Sequence, residues 1–273
     1  MKHFAWRDGV RLLPFIVVLA IVVIGPLIAP FDPNNQQIKS TLLAPFAHYA
    51  GSGRVALLGT DELGRDIFSR ILYGGQISLL ISVAAVVVSG CIGLVIGLIS
   101  GYLQKWPDAF FMRLGDVQLS IPSILLAIVI IAVFGSGIVN VIAVLAVTGW
   151  VSTARVVRSR VIQLKETDFV AAAELMGLPR RVIIWRHILP NVGSLFITQE
   201  ILQISRMILF SASLSYLGVG VSLSTITWGG MLNEGQNYLQ SAWWLAAIPG
   251  LCIAIVVIAI NLFGEWLQAR LAS

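Results

Sequence analysis

The sequence predicts an all-α membrane protein with six transmembrane helices, both termini inside, and a cytoplasmic loop standing out between spans four and five. Three observations predict it. Hydrophobic residues make up 58% of the 273 positions and charged residues only 11%, against roughly 25% charged in soluble domains. A soluble fold of this size would lack the charge to solvate its surface, so lipid must cover most of it. The uncharged runs match multiples of the ~20 residues that cross ~30 Å of hydrocarbon. Lysine and arginine lie mainly between those runs, where they orient the spans.

The elements follow in order. Residues 1–11 are a tail with Lys2, Arg7 and Arg11. The run Leu12–Phe31 is uncharged. It is longer than a signal-peptide core of about 7–15 residues and lacks a small-residue cleavage site, so it reads as a retained first span. Residues 32–76 form an external segment. The run Ile71–Gln104 holds the second span, from Ile77 to about Ser100. Val117–Ala154 is 38 uncharged residues, too long for one span. Gly135-Ser136-Gly137 breaks it, which predicts a tight turn between spans three and four. A fifth span runs from about Gly193 to Leu217 and a sixth near Trp243–Gly264. Residues 77–264 therefore form a five-helix transmembrane domain that includes the loop 155–191, and 265–273 is a second tail.

Charge sets the orientation. With the N-terminus inside, 13 Lys and Arg residues fall in cytoplasmic segments, seven of them in Arg155–Asn191, and four fall outside. Arg206 lies within a span. The net charge of +5 is thus explained by membrane flanks, and nucleic-acid binding is set aside. Cys91 and Cys252 lie in apolar stretches and read as small buried hydrophobes. No metal-ligand spacing is present, and no internal repeat is evident.

The loop reads as two short helices. Phe169–Met176 is Ala-rich with Glu174, which suits a helix. Gly177 permits a break or a positive φ. Pro179 fits the first turn of a second helix, and Pro190 is expected to stop it. Val182, Ile183, Trp185 and Ile188 offer apolar surface; Arg180, Arg181, Arg186 and His187 offer basic surface. Two readings fit these residues equally: a rigid knob that enters a groove on another protein, or a basic amphipathic segment lying on anionic lipid.

Span five carries Gln199, Glu200, Gln203 and Arg206. At 100° per residue, Gln199, Gln203, Arg206, Phe210 and Ser213 share one stripe. A charge near mid-bilayer is costly against lipid, so the stripe should face protein or water. It either lines a translocation path, with Arg206 meeting a substrate carboxylate or holding a gate, or it forms a structural ion pair with Glu200 or a partner chain. Outside, Asp61, Glu62, Arg65 and Asp66 are placed to pair with one another, with Thr60 or Asp61 capping a helix Leu63–Leu72. Docking of an external protein is the other reading. Trp228, Trp243 and Trp244 suit the membrane interface.

Several motifs resemble a known family. Ala171-Ala172-Ala173, Gly177 and Ile188-Leu189-Pro190 are similar to the EAA-type signature of bacterial ABC importer permeases. Ala171 stands where that pattern has Glu, and Glu174 follows one turn later. LGTDELGRDIFSRILYG at 58–74, LPNV at 189–192, SLSYLGVGV at 213–221 and WGGML at 228–232 are similar to the dipeptide, oligopeptide and nickel permease family, most of all to its C-type permease. The resemblance spans nearly the whole chain. It implies a subunit of the bacterial inner membrane that forms half of a path for a peptide-like or metal-chelate substrate. It also implies partners: a second, homologous permease, two P-loop ATPase subunits and an external substrate-binding protein. Ala171, Ala172, Ala173, Glu174, Gly177, Leu178, Pro179, Arg180 and Arg181 would then meet the ATPase. This chain has no GxxxxGK[ST] loop, so ATP and Mg belong to the partner subunits and no cofactor is expected here. An ion-coupled secondary transporter or channel is the alternative, though Glu200 is the one acidic residue in any span. An intramembrane enzyme lacks support: there is no HExxH, and His3, His48 and His187 fall outside the spans.

Overall fold

The computed structural model describes residues 6–51, 53–222 and 224–271. Lys2 and His3, and the last two residues of the second tail, lie outside them. The chain is mostly helical. Helix α1 (Trp6–Ile28) occupies the first predicted span and ends just ahead of Pro30, a residue that disfavours helix at the position before it. A two-residue hairpin, β1 (Ala47–His48) and β2 (Val55–Ala56), folds within the segment that follows.

Helix α2 (Ile67–Leu103) has 37 residues and is about 55 Å long. It contains the predicted second span but begins ten residues earlier. Its N-cap is Asp66, which accepts from Ser69 N, not Thr60 or Asp61. Asp61 instead accepts from Leu63 N and Arg65 N, and Gly64 sits at φ +72°. That turn prevents a helix from starting at Leu63.

The third span differs from expectation. Helices α3 (Lys105–Ser120) and α4 (Ser123–Phe134) meet at 90°. Ile121, held extended (φ −97°, ψ 127°) ahead of Pro122, makes the corner. Helix α4 alone is about 18 Å long, too short to cross a bilayer. Helix α5 (Ile138–Lys165) starts after the predicted break at 135–137. Then come α6 (Asp168–Leu175), α7 (Arg180–Val182), a π-helical turn Ile183–Ile188, α8 (Leu189–Tyr216), α9 (Trp228–Gly235) and α10 (Trp244–Leu271).

Pro190 does not stop a helix, contrary to expectation. The helical path runs on from Arg180 to Tyr216. A proline ring collides with the carbonyl four residues back. Here the π turn widens the path: Leu189 N–H reaches the Ile184 carbonyl, five residues back. The wide turn removes the collision.

Among the described residues, helices α2, α5 and α10 are long and apolar enough to cross a membrane, and the bent pair α3–α4 makes a fourth if the two count as one span. Helix α8 is 28 residues long, but Gln199, Glu200, Gln203 and Arg206 interrupt its apolar character. Helices α2 and α5 pack most closely. Gly93, Gly97 and Gly101 form one stripe of α2, and a Cβ at each would sit 2.7, 2.7 and 2.6 Å from Thr153, Val157 and Val161. Small residues at helical spacing allow this backbone approach.

Two smaller expectations change. Trp228 and Trp244 are 3% and 8% exposed and belong to the core, and of the three only Trp243 is exposed. Trp228 Nε1 donates to the Ile71 carbonyl at 2.9 Å. Cys91 is exposed on α2, not buried.

Candidate functional site

The loop of residues 155–191 is built on a buried apolar foundation. Val157, Val161 and Leu164 of α5, Val170 and Ala173 of α6, Ile183 and Ile188 of the π turn, and Leu98 and Tyr102 of α2 form one cluster. Short α6 alone would be marginal; this packing holds it. Gly177 takes φ +74°, which reverses the chain after α6 at no Cβ cost. Pro179 sits just before the first turn of α7, in extended conformation, rather than within it.

The foundation leaves a distinct outer face. Ala171, Ala172, Glu174, Gly177, Pro179, Arg180 and Arg181 are exposed and Leu178 is half-buried. Phe169, Leu175, Met176 and Trp185 are exposed apolar residues, Leu175 at 89%. Ala173 is fully buried and so packs inward instead of contributing outer surface. Glu174 accepts a hydrogen bond from the Tyr102 hydroxyl at 3.0 Å. Lys165 Nζ donates to the Tyr102 carbonyl at 3.0 Å. Sequence reasoning singled out neither Tyr102 nor Lys165.

The stripe of α8 divides. Gln203, Arg206 and Phe210 line a cavity of about 820 Å³ with Ser152, Arg155 and the α3–α4 corner at Leu119 and Pro122. Gln199 does not line it; its Nε2 donates to Ser152 Oγ, which does, at 3.3 Å. Gln203 is buried, and its Oε1 has no partner among the described residues. Arg206 is exposed and in no ion pair among the described residues. Glu200 points elsewhere, so the Arg206–Glu200 pair does not form. Thr153 Oγ1 donates to Glu200 Oε1 at 2.6 Å, and the other oxygen abuts Gly90 of α2. The corner helix α3 is tied to α5 by Asp116–Arg155 and Asp108–Arg158.

At the opposite end of α2 lies an ion network. Arg65 pairs with Asp61 and Glu62, as expected. Arg70 was not foreseen: it bonds Asp61 at 2.9 Å and Glu234 of α9 at 2.6 Å, with its side chain 3% exposed. Tyr49 donates to Asp66 at 2.9 Å, and burial, then that carboxylate, pushes the phenol's pKa up. Carboxylate oxygens of Asp61, Glu62 and Glu234 lie within 4.8 Å of one another, and the two guanidiniums bond to them.

Known proteins share this chain's sequence over most of its length. Residues 93–273 match the family described as binding-protein-dependent transport system inner membrane component. The di/tripeptide transport system permease protein DppC of Pseudomonas aeruginosa (strain UCBPP-PA14) is 37% identical over 272 residues, covering 99% of this chain and 89% of that protein. The dipeptide transport system permease protein DppC of Haemophilus influenzae is 38% identical over 260 residues, 95% of this chain and 88% of that one. The glutathione transport system permease protein GsiD of Pectobacterium atrosepticum is 37% identical over 270 residues, 99% and 87% respectively. The chain belongs to the binding-protein-dependent transport system inner membrane component family: it is a multi-pass inner-membrane permease subunit of an ABC importer, and not an enzyme.

Proposed function

We propose that this subunit spans the membrane six times, with both termini cytoplasmic, and forms half of a path for a peptide-like substrate. The spans are α1, α2, the bent pair α3–α4, α5, α8 and α10. The positive-residue bias, 13 to four, supports this orientation. The division into 1–11, 12–31, 32–76, 77–264 and 265–273 follows from it. Relatives named for di/tripeptide, dipeptide and glutathione transport support a peptide-like cargo over a metal chelate.

The partners are a second homologous permease, two ATPase subunits that hold ATP and Mg, and an external binding protein. The observation that carries the coupling role is the knob itself. Around Gly177 it turns Leu175, Met176, Trp185, Arg180 and Arg181 outward from a buried foundation. A rigid, exposed, partly apolar element suits a groove on another protein. Ala171, Ala172, Glu174, Leu178 and Pro179 complete its surface. Gln203, Arg206 and Phe210 border the path through the cavity, with Gln199 orienting Ser152.

Purification of the tagged chain from membranes tests this reading. ATPase chains and a second permease are expected to accompany it, with the ATPase chains lost when Met176 and Trp185 are both changed to Ser. A chain that purifies alone and still drives uptake overturns it. For the path, Arg206→Met is expected to lower uptake while ATP hydrolysis by the complex continues; normal uptake of the native substrate sinks that role.

A further inference from the structure

We infer that Tyr102 is a positioning residue for energy coupling: its phenol ties the knob to α2, so that displacement of α6 is carried into α2 as well as into α5 and α8. The inference rests on the reading of residues 155–191 as the ATPase-coupling element.

Chain connectivity sets the problem. Helix α6 is linked to α5 through Glu166 and Thr167, and to α8 through α7 and the π turn. Both of those helices must respond when the knob moves. Helix α2 has no such link, because α3, α4 and α5 intervene in sequence. Its hold on the knob is through contacts. Tyr102, the penultimate residue of α2, makes them together with Leu98.

The contact has two parts. The ring is 4% exposed and belongs to the apolar cluster shared with Val170 and Ala173 of α6 and Ile183 of the π turn. Its hydroxyl donates to Glu174 Oε1 at 3.0 Å. Lys165 fixes the same residue from the α5 side, through the Tyr102 carbonyl at 3.0 Å and with its ammonium 5.3 Å from the ring centre. A hydrogen bond to a charged group is stronger and more directional than packing alone.

What α2 does with the motion follows from its shape. It is one continuous helix from Ile67 to Leu103. At its far end Arg70 grips Glu234 of α9. A shift at Tyr102 therefore reaches the Arg70–Glu234 pair through an unbroken rod. Glu174 acquires a role distinct from the missing Glu at Ala171: it holds the knob to its own chain.

The whole transporter in proteoliposomes tests the inference, with uptake and ATP hydrolysis measured in the same vesicles. Tyr102→Phe removes only the hydroxyl. It is expected to lower substrate taken up per ATP by roughly fivefold or more, a ratio that does not change when fewer copies fold. Glu174→Ala should give a similar fall. Glu174→Gln, which keeps an acceptor oxygen, should recover most of the ratio, and Tyr102→Phe with Glu174→Ala should be no worse than either alone. A normal ratio in Tyr102→Phe overturns the inference. So does a Glu174→Gln variant as poor as Glu174→Ala, which would place the carboxylate's charge on the partner. Failure of the docking reading is separate: the unaltered complex would then lack ATPase chains.

Discussion

The two ends of α2 are built on opposite plans. At the Arg70 end, charge is consumed within the chain. Arg65 and Arg70 answer Asp61, Glu62 and Glu234, and Asp66 is shared by Ser69 and Tyr49. At the Tyr102 end, one tyrosine–glutamate bond sits on an apolar foundation, and Arg180, Arg181, Leu175, Met176 and Trp185 are left facing outward. At the first end the carboxylates and guanidiniums are paired with one another. The second presents exposed apolar and basic side chains. Closed electrostatics mark a part that holds the subunit together, and on the proposed docking role the open surface is the part that is acted upon.

The sharpest break in this comparison is Arg70→Met. The substitution leaves Asp61, with a side chain 4% exposed, and Glu234 short of a buried cation. Removing one partner of a buried pair costs about 3–5 kcal/mol. The expected result is a large fall in thermal stability and in subunit recovered from membranes, read by fluorescence-detected gel filtration across temperature. Glu234→Gln should cost less, because Glu234 is 27% exposed and Gln still accepts a hydrogen bond. Equal losses for the two would mean that the network is not organised around Arg70.

Much of this contrast was legible in the sequence, and the parts that were not have a common cause. The Asp61–Arg65 pair was visible because its members are four residues apart. Glu234 was invisible because it lies 164 positions from Arg70, and no local pattern joins them. The knob's helix, reversal at Gly177 and second helix were readable from Ala-rich composition, Gly and Pro. Ala173 was misread as outer surface because an alanine run does not reveal which of its faces is buried. Pro190 was misread as a stop because a proline's effect depends on the turn before it, and a π turn has no simple signature. The stripe of α8 was readable from helical period, and it brought Gln203, Arg206 and Phe210 to one cavity. Gln199 fell at its edge, and Ser152 and Arg155, contributed by α5, had no signal within α8.

A middle-sized effect tests the rod that joins the two ends. A Cβ at Gly101 would lie 2.6 Å from Val161 and 2.9 Å from the Arg158 carbonyl. Backbone cannot give way as a flexible side chain can, so Gly101→Ala must push α2 away from α5. Overpacking of this kind costs about 1–3 kcal/mol. The variant should lose some thermal stability and, because Tyr102 is the next residue, also lower uptake per ATP. Gly177→Ala has no close neighbour but sits at φ +74°. It is expected to cost about 1 kcal/mol through backbone strain alone.

The smallest stability effect is expected where the effect on transport is large. Leu175 is 89% exposed, and its side chain lies outside the buried cluster beneath the knob. Leu175→Ser therefore removes little packing, and a surface change of this kind is worth within about ±0.5 kcal/mol. If the knob enters a groove on an ATPase, that same leucine is buried in the complex, and the serine weakens the joint. The expected pattern is an unaltered melting curve for the isolated subunit with less ATPase recovered alongside it. Arg70→Met should do the reverse: a lower melting curve, with the surviving subunits still holding their ATPase. A Leu175→Ser subunit that melts early would mean the leucine supports the fold. One that binds ATPase normally would mean the groove is filled by Met176 and Trp185 without it. The first result would erase the division between a closed end that holds and an open end that is held; the second would only narrow the open end to Met176 and Trp185.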